Sequence, residues 1–313
     1  MSIGPTEQQG SAPPELVPSG PQPDAPSTLH WIFVGPNGIR AGWSILIFVA
    51  LLFAIGAAVL FVLRHIPGVP RGETSAGLAL SETSIVFTVL VATAIMARIE
   101  GRSVLNYGLR DRQWLRRFVV GALWGLVLIS GLVGLLVATG HLAFDGQLLH
   151  GSTLVLDALA LGFAFLMVGM AEEVLVRGYL QSTLARGIGF WPAAVLLSVG
   201  FGLLHLGNPG ERAIGLVSAG TAGLVFCFAL YRTGSLWWPI GAHAAWDWGQ
   251  SYLYGVPDSG LMVPGHLMAT HPIGASWLSG GTVGPEGSIF VLAAFGAIVP
   301  IIMLTTRRPG VPT

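Results

Sequence analysis

The chain alternates long apolar runs with short polar connections, and the runs are longer than a soluble core uses. Hydrophobic residues dominate 41–63, 78–97, 118–138, 155–178, 191–206, 213–231, 236–254 and 288–305. About 20 apolar residues in a helix cover the hydrocarbon thickness of a bilayer, so the pattern predicts about eight transmembrane helices in an all-α integral membrane protein. The second run is weakened by Ser81, Glu82, Thr83 and Ser84 near its start, and the fifth is short for a full crossing. Residues 1–30 are rich in Pro, Gly, Ser and Gln, which predicts a disordered tail ahead of a membrane domain over 40–306. No basic stretch precedes an early apolar core, so the tail does not read as a signal peptide and the first run is expected to stay as an anchor.

Arginine placement sets the expected orientation. Arg98, Arg102, Arg110, Arg112, Arg116 and Arg117 load the second connection, which should therefore be cytoplasmic. Alternation puts Arg186, Arg232 and Arg307–Arg308 on the same side, with both termini inside the plasma membrane; Arg64, Arg71 and Arg212 are exceptions. The basic stretch 98–117, with Trp114, reads as a topology determinant at the interface. The Gly- and Pro-rich connection 255–287 reads as an external loop or lid, in which His266 and His271 are solvated.

Composition agrees with the membrane setting. Charged residues make up 10% of the chain, against about 25% in a soluble domain, and the mean hydropathy is +0.72. The net charge is zero, so no basic field points to nucleic acid. Cys227 is the single cysteine and reads as a small buried hydrophobe.

Against that background, Glu172 and Glu173 stand out, because they interrupt an apolar run (LGFAFLMVGMAEEVLVRGYL). An ionised group at bilayer depth costs a few kcal/mol, so such residues read as functional and need partners. Helical spacing of four stacks Glu173 with Arg177, Phe201 with His205, and His243 with Asp247. A Glu173–Arg177 ion pair would leave Glu172 free. Glu172 precedes the Arg186–Gly189 connection by about as many residues as His205 follows it, so in an antiparallel hairpin the two reach similar depth.

Such a set can do water chemistry. A desolvated carboxylate can act as a general base, and two histidines with a carboxylate also match a catalytic zinc site with an open position. The helix H-E-x-x-H is absent, so a metal site would have to be assembled from several helices. Asp157, the other aspartate in an apolar run, reads as a helix-start cap.

The three motifs, Glu172-Glu173-x-x-x-Arg177, Phe201-x-x-x-His205 and His243-x-x-x-Asp247, resemble the signature of the CPBP intramembrane proteases. That family includes the CAAX prenyl endopeptidases and the bacterial bacteriocin-processing and Abi-like proteins. The resemblance is close over 155–255 and continues loosely through Gly280-Gly281 and Gly284-Pro285-Glu286-Gly287, a run similar to the tail of many bacterial members. It implies an eight-helix fold with a chamber opening within the bilayer of a bacterial inner membrane. It also implies Glu172 as the water-activating base, aided by His205, with Glu173 and Arg177 in support. His243 and Asp247 would hold an oxyanion or, with His205, a divalent metal such as zinc. Many eukaryotic CAAX enzymes carry Asn where this chain has Asp247; an ionised Asp cannot donate to an oxyanion, which favours a metal ligand or a carboxylate that orients His243.

The expectation is an intramembrane metalloendopeptidase that cuts a peptide or membrane-anchored protein with a Glu/His-activated water. The alternative is a catalytically silent membrane scaffold of the same fold. A proton-coupled transporter would fit the charges, but no paired broken helices or repeat halves are visible.

Overall fold

A computed structural model describes residues 32–35, 38–70 and 74–306. The tail expected to be disordered (1–30), Arg71 and Arg307–Arg308 lie outside the described residues. After a short hairpin of β1 (Val34–Gly35) and β2 (Gly38–Ile39), the chain forms α1 (Ala41–His65), α2 (Ser75–Ile99) and α3 (Trp114–Ala138). Next comes α4 (Gly151–Glu172), which runs through a π-helical segment, Glu173–Leu180, into α5 (Gln181–Ile188). α6 (Phe190–Leu204), α7 (Ala213–Thr233) and α8 (Trp237–Trp248) follow, then a π-helical turn, a short α9 (Ser276–Ser279) and α10 (Val291–Thr305).

Helices occupy all eight predicted stretches, but the count of eight full spans is not confirmed. Six are long and apolar enough to cross a membrane, including the 18 residues of Phe190–Gly207 and the weak second run. Val291–Thr305 is apolar but shorter, and α8 has only 12 residues before its helix widens. Between α1 and α10, large side chains such as Phe53 (76% exposed) and Leu304 (86%) point outward. In lipid that surface costs nothing, whereas in water it would drive aggregation.

One continuous helix of 38 residues, Gly151–Ile188, runs through the centre. At 1.5 Å per residue it is about 57 Å long, far more than the ~30 Å hydrocarbon thickness, so it must tilt or project from the bilayer. The helix starts after His150, whose side chain makes no capping bond, and Asp157 lies inside the helix rather than at its start. Asp157 instead accepts from Ser75 Oγ at 2.9 Å and ties α4 to the start of α2. Gly189, at φ +88°, turns the chain back from α5 into α6, a conformation that disfavours any side chain with a Cβ.

Close backbone contact sets the position of α8. A Cβ on Gly125 of α3 would lie 2.2 Å from the Ala242 carbonyl oxygen, and one on Gly121 would lie 2.2 Å from that of Trp238. Gly241 answers from α8, where a Cβ would lie 2.2 Å from the Phe118 carbonyl oxygen. Small residues at a helix crossing let backbones approach where no hydrophobic force drives them together. His243 and Asp247 are thereby held at a fixed depth.

The two ends of the bundle differ. At one, Glu100 accepts from Tyr179 (2.9 Å) and pairs with Arg186 (3.0 Å), while Arg117 reaches the Thr233 carbonyl (2.7 Å). The segment 98–117 is thus fastened to the 233–236 connection as well as carrying the basic charge. At the other end, β3 (Leu142–Gln147) pairs antiparallel with β4 (Met268–Pro272). The connection 255–287, expected to be an external loop or lid, is therefore partly ordered by pairing. His271 meets Asp145 at 2.8 Å on the exposed face, and His266 bonds the Val263 carbonyl.

Candidate active site

A cavity of about 430 Å³ opens among α2, α4, α6, α7, α8 and the connection after α8. Glu172, His205, His243 and Asp247 all line it, and Glu173 and Arg177 lie behind its wall. The widened π-helical segment begins at Glu173, so the two adjacent carboxylates sit where the helix leaves α geometry. Such widened turns recur at functional sites because they re-aim side chains that an α-helix would stack.

Glu173 is fully buried and accepts from Arg177 Nη1 at 2.9 Å, as the spacing of four predicts. The guanidinium, 1% exposed, lies 4.3 Å from the Phe201 ring centroid and 5.8 Å from that of Phe226. Phe201 therefore serves as an aromatic face for a desolvated cation. Glu173 Oε1 has a second partner, His243 Nδ1, at 3.0 Å. With Arg177 keeping the carboxylate an acceptor, the ring proton belongs on Nδ1, which fixes the tautomer and the ring plane.

The other nitrogen of His243 faces the cavity. Nε2 lies 3.5 Å from Asp247 Oδ2 and 3.7 Å from Glu172 Oε2. In the neutral ring Nε2 accepts; once protonated, it can donate to either carboxylate or to an oxygen between them. Glu172 is the accessible member, with its side chain 35% exposed. His205 bonds the Phe201 carbonyl through Nδ1 at 2.8 Å, which leaves its Nε2 as an acceptor. Glu172 and His205, expected at similar depth, line the same cavity, but no hydrogen bond joins them.

Three cavity residues escaped sequence reading. Asp258 and Glu286 come from the connection after α8, and their carboxylate oxygens lie within 4.8 Å of each other and of Asp247. Trp246 Nε1 (3.0 Å) and Ser259 Oγ (2.9 Å) hold Glu286 in place. Gly284, at φ +102°, lets the chain pass so close to Pro257 that a Cβ would lie 1.9 Å from its carbonyl oxygen. The Gly284–Gly287 motif was the available signal. The third residue, Glu82, counted in the sequence only as a flaw in a span.

This geometry bears on metal binding. His205, His243 and Asp247 do not come together as a ligand group; among the described residues the group that does is Asp247, Asp258 and Glu286. An all-oxygen donor set suits a hard cation such as Mg²⁺, Ca²⁺ or Mn²⁺, not zinc, which prefers imidazole or thiolate. Asp258 is a connection residue whose carboxyl is pushed well above its ordinary range by burial and by the charges of Asp247 and Glu286.

Fold and site together define a class: an integral membrane protein of helices, with acid and imidazole groups gathered in a cavity between them. Residues 154–249, about a third of the chain, match the family model described as Rce1-like, type II CAAX prenyl endopeptidase. The match spans all three motifs and supports the CPBP kinship, which at the family level is that of CAAX-type intramembrane proteases. No curated protein and no solved structure matches the chain.

Proposed function

We propose that the protein is an intramembrane endopeptidase in which Glu172 activates water. The observation that carries this reading is Glu172 Oε2 at 3.7 Å from His243 Nε2, inside a cavity that His205 also lines. Water held by Glu172 and the free Nε2 of His205 gives a proton to Glu172 as its oxygen attacks the peptide carbonyl carbon. The C–N bond then breaks, and the proton passes to the leaving nitrogen, so one water yields one carboxyl and one amine. His243, oriented by Glu173 and Arg177, donates from Nε2 to the developing oxyanion when protonated.

Zinc held through His205, His243 and Asp247 does not fit this arrangement, and no step above uses a metal. A hard divalent cation would be held by Asp247, Asp258 and Glu286, and would supply Lewis-acid polarisation beside the cavity. The substrate is a peptide or membrane-anchored protein, and the arginine-bearing end of the bundle faces the cytoplasm of a bacterial cell.

The test compares new protein N-termini in membranes holding wild type or Glu172→Ala. Termini present only with wild type, and their production by the purified protein in nanodiscs, are the expected result. Removing a positioned general base costs about 10²–10⁴-fold, and His205→Ala should lose activity on the same scale. Wild-type turnover by both variants would dismiss the assignment. Identical termini in all membranes, with partner proteins still depleted by the variants, would favour the scaffold.

A further inference from the structure

Five carboxylates line the cavity, Glu82, Glu172, Asp247, Asp258 and Glu286, and among the described lining residues there is no arginine. The chain has no lysine to offer. Four of the five are answered within the protein. Glu172 and Asp247 face His243, Glu286 accepts from Trp246 and Ser259, and Asp258 meets Ser251 Oγ at 3.5 Å.

Glu82 differs: among the described residues it makes no hydrogen bond and no ion pair. The titratable group that acts on it is Glu172, another carboxyl group. Leu78, Glu82 and Ile85 form one face of α2, and that face is cavity wall. Arg177 is stacked on Phe201 and Phe226 and committed to Glu173. An ionised carboxylate at bilayer depth carries a desolvation cost of several kcal/mol that a cationic partner offsets, and at this cavity wall a ligand can bring that partner.

We infer that Glu82 binds a basic side chain of the substrate, so that the cavity selects apolar peptides carrying arginine or lysine close to the bond to be cut. This rests on the endopeptidase reading for the word "cut", but the selection itself is a property of binding. A free C-terminal carboxylate, or an acidic residue in that place, would enter against like charge.

The test uses full-length protein in nanodiscs and one fluorescent apolar peptide made with arginine, citrulline or glutamate at a position moved stepwise along it. Citrulline keeps the shape of arginine and removes the charge. Equilibrium binding and cleavage are measured separately. The arginine form should bind about thirtyfold tighter than the citrulline form at the best position, and the glutamate form weakest. That ratio should fall to near one in Glu82→Gln, persist in Glu82→Asp, and invert toward the glutamate peptide in Glu82→Arg. Melting temperatures of the variants show that each is folded. Equal binding of arginine and citrulline forms by wild type, or a preference that survives Glu82→Gln, overturns the inference. Charge-dependent binding lost in Glu82→Gln, with no cleavage of any peptide, would retire the endopeptidase reading and leave the selection standing.

Discussion

Glu173 Oε1 lies 3.0 Å from Nδ1 of His243, seventy residues further along the chain, while the same oxygen accepts from Arg177. One buried atom thus joins the charge pair of the π-helical segment after α4 to the imidazole of α8. In the proposed mechanism Glu173 and Arg177 would act through His243, as positioning residues.

Removing Arg177 leaves Glu173 buried without its counter-charge. Arg177→Ala should lower stability by about 3–5 kcal/mol, read as a fall in melting temperature in detergent. Glu173→Gln keeps the volume but presents an amide that can turn its NH₂ toward His243. It should reduce kcat with little change in KM and move the pH profile of kcat. An unchanged profile in a folded Glu173→Gln protein would show that His243 does not depend on it.

The α3–α8 contact should tolerate no side-chain growth. Gly125→Ala puts a methyl where only 2.2 Å separates it from the Ala242 carbonyl oxygen, one residue before His243. Overpacking costs about 1–3 kcal/mol. The variant should melt lower and lose activity, since α8 must shift and carry His243 with it. Gly131→Ala on the same helix, where a Cβ would meet nothing within 4 Å, is the control and should behave as wild type.

Glu100 should make the bundle acid-sensitive. Burial by itself would raise its carboxyl, but hydrogen bonds from Arg186 and Tyr179 and the Arg186 charge outweigh burial and hold it below its ordinary value. The folded state therefore holds its proton more weakly than the unfolded state. The stability this gives is complete above the unfolded value of about 4.3 and is lost as pH falls through the folded one. Melting curves between neutral pH and pH 3 should show the loss, and Glu100→Gln should flatten that part of the curve.

Asp258 should act in the opposite sense. Its folded carboxyl is raised by burial and by Asp247 and Glu286, so stability is present at low pH and lost as pH rises above the unfolded value of about 3.9. In metal-free buffer at pH 8, Asp258→Asn should melt higher than wild type, and the gap should close toward pH 4. Added Ca²⁺ or Mn²⁺ should raise the wild-type melting temperature at pH 8. The double variant Asp258→Asn, Glu286→Gln should not respond. A response to Zn²⁺ alone would contradict the all-oxygen donor set.

Local periodicity determined much of this protein. Run length placed a helix in each of eight stretches, and the spacing of four stacked Glu173 on Arg177, because residues three and four apart share a helical face whatever surrounds them. Counting along a hairpin put Glu172 and His205 at similar depth for the same reason: helical rise is constant. What tertiary structure decided lies between distant positions. The sequence paired His243 with Asp247, yet its shortest polar contact is with Glu173, because glycines of α3 and Gly169 of α4 let α8 settle close to the end of α4. Asp258 and Glu286 join Asp247 across a connection that sequence read only as an external loop or lid, since strand pairing and a turn at Gly284 have no helical period to reveal them. Glu82, which the sequence showed only as a defect in an apolar run, gained its meaning when α2 turned that face toward the cavity.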